Sequence, residues 1–154
     1  MTVNEEIVEP WRKLLRAQKA VLDHLADEME AEAGLPLGWY EVLLHLQESP
    51  TGRLRMHEIA DSLLLSRSAA TRFVDRMQEA GLVARDTDPS DRRGTLVAMT
   101  REGRGVFSKA APTHLAGIRR HFTDHLDTDE AEVIAGAMRK VLGIAGDVQG
   151  SGPR

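Results

Sequence analysis

The chain has 154 residues, no cysteine, only 4% aromatic residues and a formal net charge of −4. Without cysteine neither a disulfide framework nor a thiol switch is available, and no apolar run approaches the roughly 20 residues that span a bilayer. With a short hairpin as the main sheet signal and few aromatics, the core has to come from Leu, Ile, Val, Ala and Met on helices, in one domain or a small domain with a helical extension. The opening residues, MTVNEEIVEP, lack the basic and apolar regions of a secretory leader, so the cytoplasm is the expected compartment.

Thr2 and Glu5 have capping-box spacing. From there Ile7, Trp11, Leu14, Leu15, Gln18, Leu22, Leu25 and Met29 follow one helical stripe towards Gly34, which predicts an amphipathic helix of about 30 residues, well above the ordinary mean of roughly 11. A helix that long needs a surface to lie against, either within its own chain or, the preferred reading, in a dimer interface. Pro36 suits the first turn of a second helix in which Trp39, Val42, Leu43 and Leu46 face a core. Ser49-Pro50-Thr51-Gly52 reads as a turn, and Arg53-Leu54-Arg55 as a single edge strand that would pair with a later hairpin.

His57 to Leu63 (HEIADSL) reads as a short helix with Ile59, Ala60 and Leu63 inward, and Leu64-Leu65 leave room only for a tight turn. Ser66 is a good N-cap for the next helix, SRSAATRFVDRMQEAG, because its side-chain oxygen can accept from an orphaned backbone N–H. Ala70, Phe73, Val74 and Met77 form that helix's apolar face. Arg67, Ser68, Thr71, Arg72, Asp75 and Arg76 lie largely opposite, and Gly81 ends it in a left-handed conformation. Two helices so joined make a helix-turn-helix. Beyond it Leu82 to Arg85 and Thr95 to Met99 read as two short strands around the polar run DTDPSDRRG, a hairpin with a long basic tip.

Thr100 can cap a further helix from Arg101, with a kink or restart expected near Ala111 because Pro112 removes a hydrogen bond and clashes with the preceding turn. Leu115, Ile118, Phe122 and Leu126 would continue its apolar face. Asp127 to Glu130 then carries N-cap chemistry, and Val133, Ile134, Ala137, Met138, Val141 and Leu142 mark a last helix ending at Gly143 to Gly146. The expected division is a dimerisation helix at 1–34, a DNA-binding unit at 35–100, dimerisation helices at 101–146 and a disordered tail at 147–154.

The negative net charge conceals its distribution. Between Arg53 and Arg104 ten arginines face eight acids, a net +2, so the remainder carries −6 and holds all four lysines. Arginine makes forked contacts with phosphate and guanine, and an acidic remainder discourages unselective sticking to DNA.

The succession HEIADSL, LSRSAATRFVDRMQEAGLVAR, DPSDRRG and Thr100-Arg101-Glu102-Gly103 resembles the winged helix-turn-helix of the MarR family of transcriptional regulators, and the resemblance extends from Leu37 to the last helix. It departs at Leu64, where the family usually has glycine or another turn former; a branched residue resists positive φ, so a slightly different turn is expected. The resemblance implies a mainly α fold with a small β-wing, the winged helix-turn-helix domain standing on a helical dimerisation base. It implies a homodimer on a pseudo-palindromic operator, with half-sites about 10 bp apart, acting as a repressor relieved by a phenolic or other aromatic effector. Ser66, Arg67, Ser68, Thr71, Arg72 and Arg76 are then the recognition-helix contacts, with Arg67 and Arg72 at base edges or nearby phosphates and Arg76 on the backbone. Asp91 and Arg93 match the family's Asp-x-Arg pattern, the acid steadying the wing and the arginine reaching the minor groove, with Arg92 as a second wing contact. An effector would lie near Trp11, Trp39, Tyr40 and His45, although core packing is the more economical role for these four. Glu41, Arg72 and Arg85 occupy positions used in urate-responsive members, but Trp11 is too close in sequence to Glu41 to match their tryptophan.

Other classes fit less well. There is no glycine-rich phosphate loop, nucleophile elbow or HExxH pair, and Asp88 and Asp91 suit hydrogen-bonded loop formers better than a catalytic pair, so neither an enzyme nor a cofactor is expected. His121 and His125, four apart on one expected helical face with His114 upstream, have zinc-compatible spacing, but a polar interface or surface explains them more simply. The same basic face on a protein-interaction module docking an acidic partner is the remaining alternative.

Overall fold

A computed structural model describes residues 5–143, the side chains of Ile7, Arg92 and Arg93 excepted; the capping box at Thr2 and the tail DVQGSGPR lie outside these residues. Helix α1 spans Glu5–Glu28 and widens into a π-helical turn at Met29–Ala33, which Gly34 closes at φ 62°. The single long helix expected from the stripe is therefore an α-helix with a wider last turn. The extra residue in that turn lets both Met29 and Leu35 enter the core. Helix α2, Leu37–Glu48, starts after Pro36 and buries Tyr40, Val42, Leu43 and Leu46.

The middle of the chain forms β1 (Arg53–Arg55), α3 (Met56–Ser62), α4 (Arg67–Glu79), β2 (Val83–Asp88) and β3 (Asp91–Met99). The strands make an antiparallel sheet in the order β1-β3-β2, so the edge strand pairs with the hairpin as its position suggested. Arg55 sits opposite Leu96 and Arg85 opposite Val97. The hairpin tip differs from expectation. The strands run into the polar segment until only Pro89 and Ser90 remain between them, because Asp88 accepts from both the Ser90 N–H and hydroxyl and closes a tight turn.

Helix α5, Arg101–His121, starts at Thr100, whose Oγ1 accepts from Gly103 N at 2.9 Å and donates to Gly81 O at 2.6 Å. One hydroxyl thus joins the end of α4's exit turn to the start of α5. Gly103 is obligatory there: a Cβ would stand 2.1 Å from the Leu82 carbonyl oxygen. Contrary to the expected restart, α5 passes through Pro112 without interruption. A lost backbone bond is tolerated where the flanking turns are held by packing, and Ala110 and Gly117 on either side are buried.

The helix then stops at His121, short of the predicted Leu126, and a 3₁₀ turn follows at Thr123–His125. The cause lies downstream: Asp127 caps α6 (Thr128–Val141) in a capping box with Glu130, and a cap needs extended backbone ahead of it, which Leu126 supplies at φ −117°, ψ 139°. His121 and His125 therefore do not share a helical face. His121 instead stacks on His24 of α1 at 4.4 Å and lies 2.7 Å from Glu28 Oε1, which also accepts from Arg120. These contacts tie α1 to α5, and the His121 hydrogen bond, with Arg120 beside it, holds the Glu28 carboxyl below its usual range despite an opposing desolvation.

Candidate nucleic-acid interface

Helices α3 and α4 are set by local chemistry. The Arg55 N–H donates to Glu58 Oε2 at the start of α3, and Ser66 Oγ accepts from Ala69 N at the start of α4. Between them Leu64 N bonds to Asp61 O and Leu65 N to Ala60 O. The different turn expected at Leu64 is not what forms. Leu64 adopts φ 54°, the left-handed conformation that glycine would have taken without cost, so the turn keeps its geometry and the leucine carries the strain.

Ala70, Val74 and Met77 are buried and Phe73 half-buried, leaving Ser66, Arg67, Ser68, Thr71, Arg72 and Arg76 all exposed. Arg76 lies 5.8 Å from the Phe73 ring centroid, a cation–π contact. Thr71 donates to Arg67 O, which leaves its oxygen free to accept. Asp75, at first sight a partner for neighbouring arginines on the helix, is instead taken by Arg85 from β2: Nη1 lies 2.7 Å from Asp75 Oδ1, while the same guanidinium donates to Gln78 Oε1 and the Thr71 carbonyl. Among the described residues neither Arg67 nor Arg72 enters an ion pair, and Asp75, the acid three residues beyond Arg72, is held by Arg85. Sequence reasoning missed this function of Arg85, since only the sheet brings it beneath α4.

The wing is anchored by Asp88. Its side chain is almost fully buried, its Oδ1 accepts twice from Ser90, and Arg55 Nη2 lies 2.7 Å from Oδ2. Among the described residues no donor is aligned on Oδ2, so the arginine contributes charge more than a directed hydrogen bond. The Ser90 hydroxyl and N–H, helped by Arg55 and the Asp91 N–H, hold the Asp88 carboxyl below its usual range against desolvation. Asp88 is thus an acid that steadies the wing. Asp91 is exposed at the start of β3, and lines a cleft of about 330 Å³ with Arg55, Arg67 and Thr71, so the structure brings the recognition helix and the wing to one concave face. The backbones of Arg92 and Arg93 lie in β3, and their side chains are outside the description.

Of the four residues expected near an effector, Trp11 lies on α1 and Trp39, Tyr40 and His45 on α2. Trp11 is 58% exposed on α1. Tyr40 is buried against Phe107 and His114, and burial, with Glu48 adding to it, raises its hydroxyl pKa. Trp39 packs half-buried at the core edge and His45 is half-buried. Glu41 is half-buried too, and desolvation pushes its carboxyl up against the pull of His45. Burial likewise lowers the His114 imidazole. The clefts beside α4 are lined by other residues.

A three-stranded wing behind a helix-turn-helix whose second helix presents exposed arginines and hydroxyls defines a winged-helix DNA-binding regulator. Residues 33–94 match the MarR family profile. Over 141 residues the chain is 27% identical to the HTH-type transcriptional regulator MhqR of Bacillus subtilis (strain 168), spanning 90% of this chain and 93% of that protein. Two solved MarR family regulators of Streptomyces coelicolor share the fold almost end to end. AbsC is 30% identical with a TM-score of 0.82, covering 93% of this chain and 96% of its own. Sco3205, solved in complex with DNA, is 32% identical with a TM-score of 0.82, covering 96% and 92%. The chain belongs to the MarR family of transcriptional regulators and is not an enzyme.

Proposed function

We propose that the protein is a cytoplasmic homodimeric repressor that reads a pseudo-palindromic operator and is released from it by a small aromatic effector. The observation that carries the DNA-reading part is that Arg67 and Arg72 are exposed on α4 and, among the described residues, in no ion pair, while the neighbouring Asp75 is paired with Arg85. Arg67 and Arg72 then contact base edges, Ser66, Ser68 and Thr71 make shorter contacts, and Arg76 meets the backbone. Asp91, Arg92 and Arg93 carry the wing into the minor groove.

The dimer reading is supported by apolar side chains left outside the core: Trp11, Leu14 and Leu15 on α1, Leu115 on α5, and Val133 and Val141 on α6, a helix that buries none of its side chains. Residues 1–34 and 101–146 form the dimerisation base in this reading, and 35–100 the DNA-binding unit. For the effector, a cleft of about 400 Å³ lined by Leu65, Ala69, Arg72, Phe73, Asp75 and Arg76 combines an aromatic wall with guanidinium groups. An aromatic anion held there would compete with DNA for Arg72 and Arg76; the Trp39, Tyr40 and His45 neighbourhood is the other location.

Selection of bound fragments from genomic DNA tests the reading. A two-fold motif should emerge, with affinity falling steeply as salt rises. Arg93→Ala should weaken all sequences alike, whereas Arg67→Ala and Arg72→Ala should relax preference at defined positions; unchanged selection by both would overturn the assignment of the recognition helix.

A further inference from the structure

Leu64 departs from what folding alone would choose on two independent counts. It is the one non-glycine residue at positive φ among the described residues, at 54°, where a Cβ crowds the following carbonyl. Its side chain is also 92% exposed, more than any other exposed large apolar residue. Hydrogen bonds from Leu64 N to Asp61 O and from Leu65 N to Ala60 O hold the turn in this conformation. Glycine or asparagine here would relieve the strain and remove the apolar surface together. Strain kept at a site with no packing return points to a contact made outside the chain.

The surroundings narrow the class of partner. Leu64 lies two residues before the Ser66 cap, at the end of α4 that carries exposed Ser66, Arg67 and Ser68. The other exposed large apolar residues lie on α1 or at 115–142, away from this turn in the chain. A single aliphatic side chain among hydroxyls and guanidinium groups is a poor protein-docking patch, but it matches a surface on which carbon islands are set among phosphates. We infer that Leu64 is a DNA-contacting residue, pressing on duplex carbon, a thymine methyl or a deoxyribose edge, when α4 enters the major groove. This rests on the reading of α4 as the DNA-reading helix, and it adds an apolar contact to a set that is otherwise wholly polar.

The test uses the full-length protein and a duplex that it selects from a random library. Leu64→Gly and Leu64→Asn should melt at or above the wild-type temperature and bind that duplex about tenfold more weakly, the scale for losing much of a buried leucine side chain. Leu64→Met, which keeps the carbon surface, should bind within about twofold of wild type. Replacing every thymine of the duplex by uracil separates the two sources. If wild type then falls to the level of Leu64→Gly, the contact is a methyl; if the gap persists, it is sugar carbon. Glycine and asparagine variants that bind as tightly as wild type, or that melt several degrees lower, would overturn the inference. Failure of the wild-type protein to select any duplex would remove the α4 reading beneath it, a result distinct from selection without a Leu64 effect.

Discussion

Arg85, on the first long strand of the wing, meets Asp75, in the middle of the recognition helix, at 2.7 Å. The guanidinium also holds the Thr71 carbonyl and Gln78, so one side chain ties α4 to β2 and neutralises a carboxylate beside the arginines of α4. Arg85→Ala should cost only about 1 kcal/mol of stability, because Asp75 is half exposed to solvent. Operator affinity should fall further, by about tenfold, since an unpaired carboxylate then faces phosphate. Adding Asp75→Ala should recover part of that affinity in a double-mutant cycle. Equal losses for the single and double variants would show that the pair serves stability alone.

The wing depends on an ionised Asp88. A carboxyl with a depressed pKa contributes stability above its unfolded value and loses it as pH falls through its folded value. The Asp88 contribution is therefore complete above the ordinary carboxylate range and drains away below it. Ser90→Ala removes the largest stabilising contact and should move the Asp88 titration upward, towards the ordinary value, as followed by carboxyl carbon NMR. An unmoved titration would mean that Arg55, not Ser90, dominates.

Gly103 is predicted to be intolerant of any side chain. The obstacle to a Cβ is the Leu82 backbone carbonyl, not a mobile side-chain end. Gly103→Ala should lower stability by roughly 1–3 kcal/mol in thermal or urea melts, with the wing–α5 junction displaced. A neutral effect would mean that the junction yields more readily than its hydrogen bonds through Thr100 suggest.

Helix α6 offers a test of assembly that spares the fold. Val133 is 70% exposed in the single chain, so Val133→Glu should leave the chain folded. Buried in a dimer, the same charge has no partner and should weaken association by at least about tenfold. Sedimentation velocity should show more monomer, and operator binding should weaken with it. An unchanged oligomeric state would put the interface elsewhere.

Much of the frame was legible in the chain. Ser66, Thr100 and Asp127 each announce a helix start because a cap acts on an N–H only three residues ahead, and the apolar faces of α2 and α4 follow from a period of 3.6 residues. Misreadings arose where two local signals competed. Pro112 promised a break that packing around α5 suppresses, while the cap at Asp127 ended the helix sooner than its apolar stripe suggested. The polar tip of the hairpin looked like loop, yet Asp88 and Ser90 closed it into a two-residue turn.

The sequence by itself determined the helix-turn-helix, the arginine-rich face and the apolar faces of the terminal helices, since all are written in spacings of a few residues along one element. The tertiary structure alone decided that Asp75 belongs to Arg85 and that Asp88, rather than Asp91, lies buried beside Arg55. Those partners come from different strands and helices, and Arg55 reaches Ser90 across thirty-five positions. Such neighbours are chosen by the register of the β1-β3-β2 sheet, and no local periodicity encodes a register between strands so far apart.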